Sequence, residues 1–60
     1  MTGKQLIKLA AKNGWKKDRQ RGSHVILKKD EKIVSIPLHN KDLGKGILNN
    51  LLKQLKIKLE

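Results

Sequence analysis

His24-Val25-Ile26-Leu27-Lys28, then Lys29-Asp30-Glu31-Lys32, then Ile33-Val34-Ser35-Ile36-Pro37-Leu38: two apolar, β-branched runs flank a charged tetrad. Such runs across a short polar break predict a β-hairpin, with strands over 24–28 and 33–38. Pro37 has no N–H to give a ladder, so it marks a strand end or an unpaired edge position. Upstream, Trp15-Lys16-Lys17-Asp18-Arg19 reads as a first, charged strand over 15–19, closed by a turn at Gln20-Arg21-Gly22.

The flanking segments change period. Thr2-Gly3-Lys4-Gln5 has the capping-box form, in which a threonine oxygen accepts a free N–H at a helix start and the glutamine answers it. Leu6, Ile7, Leu9 and Ala10 follow as one apolar stripe, and Asn13-Gly14 offers a left-handed stop. A helix over 3–13 is predicted. From Asp42 to Leu55, residues Leu43, Ile47, Leu48, Leu51, Leu52 and Leu55 share one face, predicting a second helix over 42–55. Gly44 and Gly46 weaken its first turn or let the backbone approach something closely. Ile57 and Leu59 are expected to fold back onto the core or to cover a partner surface, and Trp15 is expected to fill the core. The predicted class is α+β, in the order α-β-β-β-α, with a three-stranded antiparallel sheet backed by two helices and one face left open.

Composition narrows the function. Fifteen Lys and Arg against five Asp and Glu give a formal net charge of +10 on 60 residues. A chain of this size buries only ~60% of its unfolded surface, which predicts one domain over 1–60 and excludes a deep pocket, a cofactor cradle and large-substrate metabolism. The absence of cysteine excludes a disulfide framework and a thiolate metal site and favours a cytoplasmic home. No run reaches the length of a membrane span, and no continuous apolar leader opens the sequence. A single aromatic residue makes base-stacking RNA platforms poor candidates.

The chemistry available is narrow. Leu43-Gly44-Lys45-Gly46-Ile47 has the wrong spacing for a phosphate loop. The five acids are scattered, so no metal centre and no cofactor are expected. What remains is His24, after Gly22-Ser23, among Lys16, Lys17, Arg19, Arg21, Lys28 and Lys29. An imidazole beside clustered cations is what metal-free RNA cleavage needs: a base for the ribose 2′-OH, with positive charge to hold the phosphate. The bland reading is a polar residue at a strand start. If the hairpin turn centres between Asp30 and Glu31, His24 lies opposite Pro37, and His39 becomes its diagonal neighbour at ~7–8 Å; a one-residue slip sends His39 to the other face. His39 otherwise simply helps build the turn into the last helix. Ser23 and His39 are thus possible supporting groups, and Lys41 and Lys45 join the phosphate-binding cations.

Taken together, the N-terminal amphipathic helix, Gly14-Trp15, the charged strand, Gly22-Ser23-His24, the hairpin, Pro37-Leu38-His39, Leu43-Gly44-Lys45-Gly46 and Leu51-Leu52-Lys53-Gln54-Leu55 resemble the HicA (YcfA-like) toxins of bacterial toxin–antitoxin systems. The resemblance covers nearly the whole chain. It implies a double-stranded-RNA-binding-domain-like fold, ribosome-independent mRNA cleavage that requires the histidine of the Gly-Ser-His motif, here His24, and a HicB-type antitoxin partner that covers the active face. Two other readings stand beside it. One is a non-catalytic RNA-binding module on the same scaffold; the other, ranked last, is a cationic amphipathic helix over 43–59 acting at membranes.

Overall fold

The computed structural model describes residues 1–38 and 42–58. It contains α1 (Gly3–Lys12), β1 (Lys16–Arg21), β2 (His24–Lys29), β3 (Lys32–Pro37) and α2 (Lys45–Leu55). The strands form one antiparallel sheet in the order β1-β2-β3, giving the α+β, α-β-β-β-α architecture anticipated from the sequence.

α1 begins with the predicted capping box: the Gln5 backbone N–H donates to Thr2 Oγ1 at 3.2 Å, and the Thr2 N–H donates to Gln5 Oε1 at 2.9 Å. It ends one residue earlier than predicted. Asn13 is the C-cap, and Gly14, at φ 91°, takes the left-handed conformation that releases the chain toward the sheet. Trp15 is buried, and its indole N–H donates to the Leu55 carbonyl at 3.2 Å, tying the start of the sheet to the end of α2.

The hairpin turn centres between Asp30 and Glu31, the first of the two registers considered. Lys29 and Lys32, expected in the turn, are strand residues, and β3 ends at Pro37 rather than Leu38. Lys29 pairs with Lys32 across the two-residue turn Asp30-Glu31, and His24 pairs with Pro37. Asp30 carries the positive φ, 54°, that lets a two-residue turn follow the twist of the strands. Val25, Leu27, Val34 and Ile36 face the helices and meet Leu6, Ala10, Leu51, Leu52 and Leu55 in the core. The helices pack principally against β3. β1 projects beyond them, with all six of its residues exposed.

Further expectations need correction. The first turn is Gly22-Ser23, and Gln20 and Arg21 belong to β1. A bulge at Asp18 adds a residue to that strand, and Gly22 supplies the positive φ of 57°. α2 starts at Lys45, with Gly44 as its N-cap. Asp42 instead bridges Thr2, and the N–H of buried Leu43 donates to the Met1 carbonyl at 2.8 Å. Ile47, placed on the apolar stripe by spacing, is 55% exposed. Leu48, Leu51, Leu52 and Leu55 define the packed stripe, and Ile47 lies about a quarter-turn from its centre.

Among the described residues, and apart from the adjoining backbone, nothing lies within 4 Å of a Cβ built on Gly44 or Gly46, so no close approach within them explains either glycine. The tight glycine is Gly3, where a Cβ would overlap the Pro37 carbonyl oxygen. Gly3 thereby lets the first turn of α1 seat against the end of β3, beside the His24–Pro37 pair. Ile57 folds back and is buried, after Lys56 closes α2 in a left-handed conformation. Leu59 lies outside the described residues.

Candidate nucleic-acid interface

Successive strand residues alternate faces, so the register sorts every candidate. With Val25, Leu27, Val34 and Ile36 under the helices, the opposite face is built from three cross-strand rows. They are Arg21–His24–Pro37, Arg19–Ile26–Ser35 and Lys16–Lys28–Ile33. Among the described residues, no helix covers this face. Its β1 column is entirely cationic, its middle column carries the imidazole, and its β3 column is uncharged.

Local geometry explains the first row. Gly22 and Ser23 form the two-residue turn, and His24 is the first residue of β2, directly across from Arg21. Paired residues in such a ladder have Cα atoms about 4.5–5.5 Å apart, so guanidinium and imidazole share a neighbourhood. The turn is held from two sides. The Gln20 amide donates to the Gly22 carbonyl at 3.1 Å, and the Leu38 N–H donates to the Ser23 carbonyl. Ser23 therefore joins the site through its backbone, fixing the turn that presents His24.

The cations predicted to bind RNA divide. Lys16, Arg19, Arg21 and Lys28 share the open face with His24. Lys17 pairs with Leu27 and lies on the helix side, where its ammonium donates to Gln20 Oε1 at 3.2 Å. Lys29 also lies on the helix side, and its ammonium donates to the Asn13 carbonyl at 2.9 Å, at the negative end of α1. Its position is thus explained by the fold, and it does not converge with His24. Lys45 occupies the first turn of α2. His39 and Lys41 lie outside the described residues, and with them the proposed histidine diagonal.

Charge on this surface is nearly uncompensated. Among the described residues, the ion pairs are Arg19 Nε with Asp18 Oδ2 at 3.4 Å and the N-terminus with Asp42 Oδ1 at 4.0 Å. A shallow depression of 350 Å³ is lined by Lys16, Lys17, Asp18, Lys28 and Asp30. It lies at the end of the sheet away from His24, about 13 Å along β2 at the usual rise per residue. Its two carboxylates make it a poor phosphate seat, whereas the flat face around His24 fits a polymer backbone. Among the described residues, no three acidic or imidazole side chains converge.

A family model, that of the HicA toxin of bacterial toxin–antitoxin pairs, matches residues 3–57. The chain belongs to the HicA toxin family. No curated protein matches it in sequence comparison. The match runs from the first residue of α1 to buried Ile57, so it takes in both helices, the whole sheet and the Gly22-Ser23-His24 turn. The family is that of the toxin components of toxin–antitoxin pairs. Among its described residues, no helix is long and apolar enough to cross a membrane.

What sequence reasoning missed is that Arg21, named among the cations around His24, is its direct cross-strand partner. It assigned Arg21 to a turn, because a strand with no buried residue shows no apolar alternation. Gly3 was also missed, since nothing local signals its contact with Pro37.

Proposed function

We propose that this HicA toxin is a metal-independent endoribonuclease that cuts mRNA without the ribosome, in the cytoplasm, with His24 as the catalytic base. The observation that carries the reading is the row Arg21–His24–Pro37 on an uncovered, cationic sheet face. His24 takes the proton of a ribose 2′-OH, and the 2′-oxygen attacks the adjacent phosphorus. The bond from phosphorus to the 5′-oxygen breaks, and the leaving oxygen takes its proton from water. Arg21 sits where charge develops on the non-bridging phosphate oxygens, and Arg19, Lys16 and Lys28 hold the neighbouring backbone. Lys45 and Lys41 are assigned as outer phosphate contacts on their charge alone. Because RNA brings its own nucleophile, one base and several cations suffice, and so small a chain can carry the reaction. A HicB-type antitoxin silences it by covering this face.

The test is RNA cleavage in excess chelator by the native chain and by His24→Ala. A general base contributes about 10²–10⁴-fold, and a loss of that size is expected. Cleavage by the variant at the native rate would sink the assignment. Products should carry 2′,3′-cyclic phosphate and 5′-hydroxyl ends, and a 2′-deoxyribose at the cut site should block reaction. Salt-sensitive binding with no turnover by the native chain would instead establish a plain RNA-binding module.

A further inference from the structure

The two edges of the sheet are not equally defended. β1 carries Lys16, Lys17, Asp18, Arg19 and Arg21 and is broken by a bulge at Asp18, and both features discourage an added strand. β3 pairs with β2 over six residues without irregularity. The phase of that pairing identifies its free groups. The Leu38 N–H donates to the Ser23 carbonyl, which makes Ser23 and Leu38 a hydrogen-bonded pair. By alternation, Val25–Ile36, Leu27–Val34 and Lys29–Lys32 are bonded pairs as well. The backbone groups of Ile33, Ser35 and Pro37 therefore point away from β2. Pro37 agrees with this phase, because its missing N–H falls where none is needed for the sheet.

Gly3 seats against the Pro37 carbonyl, closing that end of the edge. The N–H and C=O of Ile33 and Ser35 remain, and no backbone hydrogen bond among the described residues reaches them. Ile33 itself is 58% exposed, on the open face at this edge.

We infer that the β3 edge receives an extended, acidic segment of a partner protein as a fourth strand, hydrogen-bonded to Ile33 and Ser35. Backbone ladders supply affinity in this mode, and alternate side chains supply specificity. Charge selects the occupant. The chain carries +10, and Lys32, beside Ile33, is crowded by Lys29 and Lys56. A second copy would bring a further +10 and a second such cluster. RNA has no ladder of N–H and C=O groups to offer. The arriving strand places an apolar side chain next to Ile33 and acidic side chains toward Lys32. It would lie about 4.8 Å beyond β3 and about 10 Å from β2, alongside the Lys28–Ile33 and Ile26–Ser35 rows of the open face. The choice of a protein occupant rests on the reading of the chain as a toxin held by an antitoxin; the free edge does not.

Sixty residues are within reach of total synthesis, so single backbone N–H groups can be removed by N-methylation with every side chain kept. The probe is a terminally blocked hexapeptide of alternating glutamate and valine, mixed with the full chain and read by amide hydrogen exchange and by affinity. Slowed exchange at the Ile33 and Ser35 amides is expected. N-methylation of Ile33 should weaken binding about tenfold or more, and N-methylation of Gln20, on the outer side of β1, should leave it unchanged. Absence of binding, protection on β1 instead of β3, or undiminished binding by the Ile33 N-methyl chain would overturn the inference. So would protection of Ile33 and Ser35 by an RNA oligonucleotide of equal charge in the peptide's place. RNA cleavage by the unmodified chain, measured in parallel, tests the toxin reading separately and is indifferent to the peptide result.

Discussion

β1 and β3 flank the same central strand, yet they are made for different purposes. β3 contributes Val34 and Ile36 to the core and carries the helices. β1 buries nothing, lies beyond the helices and consists of Lys-Lys-Asp-Arg-Gln-Arg. A strand with no buried side chain earns little stability from packing, so its presence is explained by what it displays. It lines up three cations, Lys16, Arg19 and Arg21, along the open face and sets the last of them against His24. The sheet therefore separates its tasks laterally: β3 holds the fold, β1 holds charge, and β2 joins the two and bears the imidazole. The proposed function depends on a surface the core does not need.

The sharpest way to break that contrast is to delete equivalent bulk from the two strands. Ile36→Ala, at a fully buried site, should cost about 2–5 kcal/mol, which for so small a domain approaches its whole stability. Arg19→Ala should stay within about 0.5 kcal/mol of the parent. Urea titration followed by circular dichroism reads both. Equal losses would mean that β1 is structural after all. Next in size is Gly3→Ala, whose methyl must displace either the Pro37 carbonyl or the first turn of α1. Overpacking of this kind costs about 1–3 kcal/mol, and here it should also disturb the His24 resonances, because Pro37 is the cross-strand partner of His24. A stability loss without change at His24 would show that this seat does not position the site.

A subtler contrast is electrostatic. Lys16→Gln and Arg19→Gln together should flatten the dependence of RNA affinity on salt by about 0.7 in log-log slope for each charge removed. The same change at Lys29, whose ammonium is engaged by the Asn13 carbonyl, should leave the slope nearly unaltered and act on stability instead. A slope that falls equally for Lys29→Gln would place RNA on the helix side as well.

These regions also differ in how far they could be read from sequence. The β2–β3 hairpin was legible in its two strands, because a turn centred between Asp30 and Glu31 keeps Val25, Leu27, Val34 and Ile36 on one face; its bounds were not, because the charged tetrad hid that Lys29 and Lys32 belong to the strands. The Thr2 and Gln5 capping box was equally plain, since its partners are three residues apart. β1 was legible only as a charged extended stretch. Without burial there is no alternation to count, and the bulge at Asp18 shifts whatever pattern the charges carry, so its end and the turn were misplaced. The start of α2 was misread for the opposite reason. Leu43 sits at helical spacing from Ile47, but it is an extended residue, held by the Met1 carbonyl. As for the candidate site, the position of His24 at the start of β2 was legible. The sorting of Lys17 and Lys29 away from it was not, because face assignment follows from the true register of β1 and from a contact sixteen residues away in the chain.

The smallest expected effect lies where β3 meets the helices. The Lys56 ammonium beside Lys32 lowers the Lys32 pKa from the ordinary lysine value, with a further contribution from Lys29 and an opposing one from Asp30. The folded chain thus holds this proton less tightly than the unfolded chain does. The repulsion is fully present at neutral pH, where both states are charged, and stability should rise as pH climbs through the lowered pKa toward the unfolded value. Lys32→Gln should accordingly move the urea midpoint slightly upward at pH 7 and low salt. The gain should shrink as salt screens the cluster, and it should vanish at a pH where Lys32 is neutral in both states. A gain independent of salt and pH would assign the effect to strand propensity rather than to charge. A loss would mean that the Lys32 side chain supports the turn in a way that outweighs its repulsion with Lys56.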